Sequence, residues 1–267
     1  MGLLEGRVAL ITGGGAGIGR GVARQYAREG ARVMIAELNA EAGAAVAREL
    51  TADFGLQADA IGTDVRVKDQ VERAVATTVE RFGAIDILVN NAFSLSPNIL
   101  LERKTDEMLE STLHSGLWAN WWAMRAALPH FKARGGGKVI NFYSIDAEVA
   151  AWLHADYNIT KSAIRGLTRS AAAEWGRFNI NVNAIAPTAM GTVFEKLAAA
   201  TPGFAEAAAK RKPLRRNGDP EFDIGPVAVF LASEMSRYIT GEIINVDGGL
   251  HLPGYASEPA DLTPLEA

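Results

Sequence analysis

The sequence predicts an α/β fold, a single doubly wound domain with a seven-stranded parallel sheet and helices on both faces. Short apolar, β-branched runs alternate with longer stretches at helical spacing, the pattern of parallel strands joined by crossover helices. Residues 85–89 are apolar almost throughout, as suits a strand buried on both faces. At 267 residues, with no internal repeat or linker, the chain has the length of one such domain.

The first strand is expected at residues 8–12, then a helix near 18–29, a strand at 32–36 and a helix near 41–54. The rhythm repeats with a strand near 59–63, a helix near 69–82 and the apolar strand at 85–89. A long helix fills 105–131, with a shift expected near Pro129, because proline lacks the N–H that a helix interior uses. Gly135, Gly136 and Gly137 break the chain before a strand at 138–143, and a helix follows over 155–178. Strands are expected at 181–185 and 242–246 with a helix at 222–233 between them, after which Asp247, Gly248 and Gly249 turn the chain. The domain thus spans 1–251, and residues 252–267, with Pro253, Pro259 and Pro264, read as an irregular tail. Residues 190–216 interrupt the α/β rhythm with alanine-rich helical patches. An insertion beyond the C-terminal end of a strand is where a substrate lid would sit.

Composition narrows the function classes. With 48% hydrophobic and 22% charged residues the chain matches soluble globular proteins and is too apolar for a disordered one. A formal net charge of -4 offers no broad positive field, so neither nucleic acid nor anionic lipid is an expected partner. The absence of cysteine excludes disulfides, zinc–thiolate sites, iron–sulfur clusters and a thiol nucleophile, and a cytoplasmic location is expected. No apolar run approaches the roughly 20 residues that span a bilayer, no signal-like stretch opens the chain, and Gly6 stands where a myristoylation signal needs Ser or Thr. No metal cluster is visible either.

Directly after the first strand stand Thr12, Gly13, Gly14, Gly15, Ala16, Gly17, Ile18 and Gly19. A glycine-rich turn between strand and helix lets backbone N–H groups approach a pyrophosphate at the positive end of the helix dipole. The spacing differs from the Gly-x-Gly-x-x-Gly dinucleotide fingerprint, and a tight turn alone is the plainer alternative. Glu37 ends the second strand about 20 residues beyond the glycines, where a carboxylate can accept hydrogen bonds from ribose hydroxyls and repel a 2'-phosphate. That favours NAD over NADP; a solvated strand end is the alternative. Tyr157 and Lys161 lie one helical turn apart on the same face, so a phenol and an ammonium can exchange a proton.

These motifs together resemble the short-chain dehydrogenase/reductase family over nearly all of residues 6–250. In order they are Thr12-Gly13-x-x-x-Gly17-x-Gly19, Asp64-Val65, Asn90-Asn91-Ala92, Ser144, Tyr157-x-x-x-Lys161, Pro187 followed by Thr192, and Asp247-Gly248-Gly249. The resemblance implies a Rossmann-type fold, a nicotinamide cofactor, a small-molecule substrate and a homotetramer or homodimer. It implies that Tyr157 is the general acid/base, that Ser144 hydrogen-bonds the substrate oxygen, and that Lys161 binds the nicotinamide ribose and lowers the tyrosine pKa. Asp64 and Val65 would contact the adenine, Asn91 and Ala92 would line the cofactor cleft, and Thr192 with the backbone after Pro187 would hold the carboxamide. The plainer roles are a helix cap for Asp64 and a strand-end tie for Asn90.

The sequence also departs from the family pattern. Gly116 stands where the family's fourth catalytic residue, an asparagine, usually holds a water. A water in the vacated volume, substitution by Asn120 or Ser115, or impaired turnover would each follow, and restoring asparagine is expected to keep or raise activity. Phe93 and Thr188 replace glycines near the nicotinamide end; Phe93 either packs under a neighbouring helix or narrows the pocket. The substrate-lining segment carries Asp146, Glu148, Trp152 and His154, of which Trp152 offers a flat apolar wall and His154 a hydrogen bond or titrating group. Trp118, Trp121 and Trp122 span more than one helix face, so at least one is expected in the core. Lys210, Arg211, Lys212, Arg215 and Arg216 form either solvated surface or a patch that steers an anionic substrate such as an acyl thioester.

The expected function is hydride transfer between NAD(H) and a secondary alcohol or ketone, with a hydrophobic ring-bearing substrate. The alternatives are an NADPH-dependent ketone or acyl-thioester reductase and a non-catalytic NAD-binding or regulatory protein.

Overall fold

The computed structural model describes residues 2–253; residues 254–267 of the expected tail lie outside the described residues. Seven strands, β1 (Val8–Thr12), β2 (Arg32–Glu37), β3 (Ala58–Gly62), β4 (Ile87–Asn90), β5 (Gly137–Phe142), β6 (Ile180–Pro187) and β7 (Ile243–Val246), form one parallel sheet in the order β3-β2-β1-β4-β5-β6-β7. Every residue of β1 and β4 is buried, which explains their uninterrupted apolar character.

Side-chain alternation along β1 divides the core into two layers. Ala9 and Ile11 pack with α1 (Gly17–Arg28), α2 (Ala40–Phe54) and α10 (Gly225–Ala232). Val8 and Leu10 pack with α3 (Lys68–Phe82), α5 (Ala119–Arg134) and α7 (Ala155–Trp175). Gly55 and Gly83, with φ of +69° and +78°, end α2 and α3 in the left-handed conformation that side chains disfavour. The strand order reverses between β1 and β4, and a crevice opens beyond their C-terminal ends, the place where open α/β sheets bind ligands.

The expected single helix over 105–131 is divided, and not at Pro129. It consists of α4 (Asp106–Leu113) and α5, joined by a wider π-turn at His114–Trp118, while Pro129 lies inside α5. Such turns insert an extra residue into the winding and are frequent at functional sites; here the turn carries Ser115 and Gly116 against α7. Of the three tryptophans, Trp122 packs against the core, whereas Trp118 and Trp121 remain about 40% exposed, with Trp118 stacked on Trp122 and Arg125 over Trp121.

Residues 190–216 contain two short helices, α8 (Thr192–Ala200) and α9 (Phe204–Lys210), joined through a Phe194–Phe204 ring contact. The basic residues after α9 do not form one patch. Lys212 is buried and donates to the Ala208 carbonyl and Asn217 Oδ1, while Arg216 pairs with Asp223. A short helix the sequence did not suggest, α6 (Asp146–Val149), follows β5. No described helix is long and apolar enough to cross a membrane, and among the described residues no group of His, Asp and Glu is placed to hold a metal.

Candidate active site

The glycine-rich turn leaves β1 directly into the crevice. Gly13 has φ +67° and lies so close to the end of β4 that a Cβ there would meet Ala92 Cα at 2.9 Å; a Cβ on Gly19 would stand 2.1 Å from the Gly13 carbonyl oxygen. The end of β4 holds the turn in place. Asn91 donates from Nδ2 to the Thr12 and Gly13 carbonyls, at 3.0 Å each, and Thr12 Oγ1 accepts the Asn91 and Ala92 N–H groups at 3.1 Å. At the start of α1, Ala16 supplies no side-chain acceptor and no acidic residue occupies the first turn. The positive end of that helix therefore faces the crevice without a carboxylate of its own.

Glu37 crosses this turn. Its carboxylate accepts the Gly15 N–H at 3.0 Å and the Asn39 N–H at 3.2 Å, which fixes it at the crevice edge. A cleft of about 610 Å³ runs from there to Tyr157 and Lys161. Its walls include Gly13, Gly17, Ile18, Glu37, Asp64, Val65, Asn91, Ala92, Phe93, Tyr157, Lys161, Pro187 and Thr192. Gly19, Ser144, Asp146, Trp152 and His154 stand off its walls, and Trp152 is 83% exposed. The cleft also includes Arg66, Leu95, Tyr143 and Phe194, which sequence reasoning missed. Arg66 grips the Asp64 carboxylate through Nε at 2.9 Å and Nη2 at 2.7 Å, and this pairing holds the Asp64 carboxyl below its ordinary range. The Asp-x-Arg spacing was the available signal.

Asn90 behaves as a structural tie. Its Nδ2 donates to Asn141 Oδ1 at 2.8 Å, in a buried network in which Asn120 also donates to Asn141 and Asn141 donates to Thr168.

At the far end, α7 presents Tyr157 and Lys161 on one face. Burial pushes the Tyr157 phenol up to about 12, the nearby Asp146 charge adds to that, and the Ser144 hydroxyl acts in the opposite direction. Lys161 is wholly buried, and desolvation pushes its ammonium down to about 7. Its Nζ donates to the Phe142 carbonyl at 2.8 Å and lies 4.6 Å from the Phe93 ring centre and 5.6 Å from that of Tyr157. The expectation that Lys161 lowers the tyrosine pKa does not describe this state of the chain. The phenol is raised, because burial and the Asp146 charge outweigh the opposing Ser144 hydroxyl.

A buried ion pair anchors this end of α7. Lys104 Nζ lies 2.7 Å from Asp156 Oδ1 and donates to the Pro97 carbonyl at 2.7 Å, while Ser96 Oγ donates to Asp156 Oδ2. Burial alone would raise the Asp156 carboxyl, but hydrogen bonds from Lys104 and Ser96 hold it low. The segment after β4 is thereby tied to the residue beside Tyr157.

Gly116 is not a vacancy. Ser115 Oγ is engaged with Ser94, Asn120 points into the Asn141 network, and the space beside Gly116 is filled by the Thr160 methyl and the Phe93 ring. A Cβ at 116 would stand 2.4 Å from Thr160 Cγ2 and 2.8 Å from Phe93 Cε2. The expectation that asparagine would be tolerated there is therefore corrected. Gly116→Asn should destabilise the fold by about 1–3 kcal/mol through overpacking and lower turnover by displacing Phe93, which packs edge-on against Tyr157 at 5.1 Å. Urea unfolding alongside an activity assay checks this, and unchanged stability would show that the neighbours give way freely.

Residues 13–251 match the family described as enoyl-(acyl carrier protein) reductase. The chain is 37% identical over 256 residues to the 12alpha-hydroxysteroid dehydrogenase of Clostridium sp., covering 94% of this chain and 98% of the relative. It is also 37% identical over 252 residues to the L-rhamnose 1-dehydrogenase (NAD(P)(+)) of Azotobacter vinelandii, covering 93% and 98%. Among solved structures, carveol dehydrogenase from Mycobacterium avium in complex with NAD superposes with a TM-score of 0.86 at 28% identity, covering 94% of this chain and all of that one. Sheet order, cleft position and relatives at this level agree, and the chain belongs to the short-chain dehydrogenase/reductase family of oxidoreductases.

Proposed function

We propose that the protein is an NAD-dependent dehydrogenase that interconverts a secondary alcohol and its ketone. The observation that carries this reading is one cleft with the glycine-rich turn and Glu37 at one end and Tyr157 with Lys161 at the other. A bound nicotinamide dinucleotide would supply the hydride acceptor or donor. The N-terminus of α1 receives the pyrophosphate, and Glu37 accepts hydrogen bonds from the adenosine ribose. Asp64 and Val65 border the adenine, Asn91 and Ala92 form the cleft floor, Lys161 meets the second ribose, and Pro187 with Thr192 borders the carboxamide. Ser144 donates to the substrate oxygen, and Tyr157 removes the hydroxyl proton in oxidation or supplies one in reduction. A phenol at about 12 keeps its proton at neutral pH, the state that reduction requires.

Phe93, Leu95, Tyr143 and Phe194 give the cleft apolar walls, which supports a ring-bearing substrate; the hydroxysteroid and carveol named for two relatives are of that kind. Residues 190–216 serve as the lid on this reading, since Thr192, Val193 and Phe194 already border the cleft. Half-exposed Trp118 and Trp121 support assembly as a homotetramer or homodimer. A cytoplasmic location without nucleic-acid or membrane partners rests on composition and charge.

An NADPH-dependent reductase is favoured by one observation, Arg66 in the cleft, but Asp64 already engages that guanidinium. The test measures reduced-nicotinamide absorbance over a panel of cyclic and aryl secondary alcohols, with NAD and NADP in parallel. The kcat/KM with NAD should exceed that with NADP by about 100-fold, some 2.7 kcal/mol, because a carboxylate beside a 2'-phosphate is repulsive. Glu37→Ala should bring the ratio to within about tenfold. A wild-type preference for NADP overturns the cofactor assignment, and NAD binding without oxidation of any alcohol overturns the enzymatic reading in favour of a non-catalytic role.

A further inference from the structure

Lys161 lines the cleft together with Phe93 and Phe142. Its Nζ is held by the Phe142 carbonyl and covered by the Phe93 ring, and behind Phe93 the Gly116–Thr160 contact leaves no room even for a Cβ. On the Phe93 side the Lys161 ammonium therefore meets hydrocarbon. Beside the Tyr157 ring stands His154, edge-on, with ring centres 5.7 Å apart.

His154 Nδ1 lies 3.0 Å from Asp146 Oδ2. A carboxylate accepts but does not donate, so Nδ1 carries the hydrogen and the neutral ring keeps its lone pair on Nε2. The same Asp146 donates its backbone N–H to Ser144 Oγ at 3.2 Å, which ties the dyad to the hydroxyl beside Tyr157. The His154 and Asp146 side chains are 26% and 33% exposed, so the pair reaches solvent as well as the site. The other ionisable groups nearby are engaged elsewhere: Glu148 with Arg165, Asp156 with Lys104, and Lys161 with the Phe142 carbonyl.

We infer that His154, oriented by Asp146, is the proton-relay residue that connects Tyr157 to solvent. The inference rests on the dehydrogenase reading above. In oxidation the alcohol hydroxyl proton passes to the Tyr157 oxygen, while the carbinol hydrogen leaves with both bonding electrons for an oxidised nicotinamide dinucleotide, giving the ketone. The Tyr157 proton then passes through water to Nε2 of His154, whose ring stands edge-on to Tyr157, and the imidazole releases it to bulk water. Reduction runs the same path inward.

The test uses His154→Ala, Asp146→Asn and the wild-type protein. In His154→Ala, kcat for alcohol oxidation should fall at least about tenfold with KM and dinucleotide affinity within about twofold, and added imidazole should restore kcat in a concentration-dependent manner. Asp146→Asn should show a smaller loss. On the protein without cofactor, the imidazole 15N shifts of His154, assigned by their disappearance in His154→Ala, should report the Nδ1–H tautomer. An unchanged kcat in an active enzyme, a rise in KM alone, failure of imidazole to restore kcat, or an Nε2–H tautomer each overturns the relay while leaving the dehydrogenase reading intact. A wild-type protein that binds the dinucleotide but oxidises no alcohol overturns both.

Discussion

Tyr157→Phe should reduce turnover by about 1,000-fold in either direction while leaving dinucleotide affinity within a few-fold of wild type. The ring contributes packing that phenylalanine preserves: it meets Phe93 edge-on at 5.1 Å and His154 at 5.7 Å. Only the hydroxyl is lost, and with it the group to which the proposed mechanism assigns proton exchange with the substrate oxygen. Steady-state kinetics combined with a fluorescence titration of the cofactor separates the two effects. Retention of more than about a tenth of the wild-type rate would move the acid/base role to another group.

Lys161→Met should be inactive yet more stable than the wild type in the absence of cofactor. The ammonium titrates near 10.5 when exposed and is pushed down to about 7 in this chain, a displacement that corresponds to about 5 kcal/mol of burial cost. Below pH 7 both the folded and unfolded chains hold the proton and the whole cost is present. Between about 7 and 10.5 the unfolded chain holds the proton and the folded chain does not, so wild-type stability rises with pH across that interval. A neutral isostere removes the cost but leaves the Phe142 carbonyl without its donor, so the net gain should be about 2–3 kcal/mol on the acid side and shrink as pH rises. Urea unfolding of the two proteins at several pH values measures this, and a destabilised Lys161→Met at acidic pH would contradict it.

Most of the architecture was legible because its signals are local. The β-branched runs gave all seven strands to within two residues at each end, and the glycine spacing at 13, 17 and 19 located the strand-to-helix turn. The π-turn at His114–Trp118 was not legible. Its Gly116 lies against Thr160 and Phe93, residues distant in sequence, and Pro129 was the stronger local cue. The site shows the same division. Tyr157 and Lys161 share a face by helical geometry alone, whereas the direction of their pKa displacements depends on burial that no spacing encodes. Arg66 was overlooked because one basic residue after Asp64 is unremarkable until the fold turns it into the cleft. Gly116 was misread because the volume beside it belongs to side chains from α7 and from the segment after β4.

The buried tie between Lys104 and Asp156 limits how this enzyme can diversify. Substitution of Lys104 by an uncharged residue would leave the Asp156 carboxylate unpaired beside Tyr157, a loss of about 3–5 kcal/mol that many single-domain proteins cannot absorb. Changes along the segment after β4 are therefore filtered by stability before selection can act on substrate choice. Helices α8 and α9, which bury none of their residues completely, escape that filter. New specificities should accumulate on their side of the cleft, while the opposite wall, fastened to the residue beside Tyr157, changes slowly.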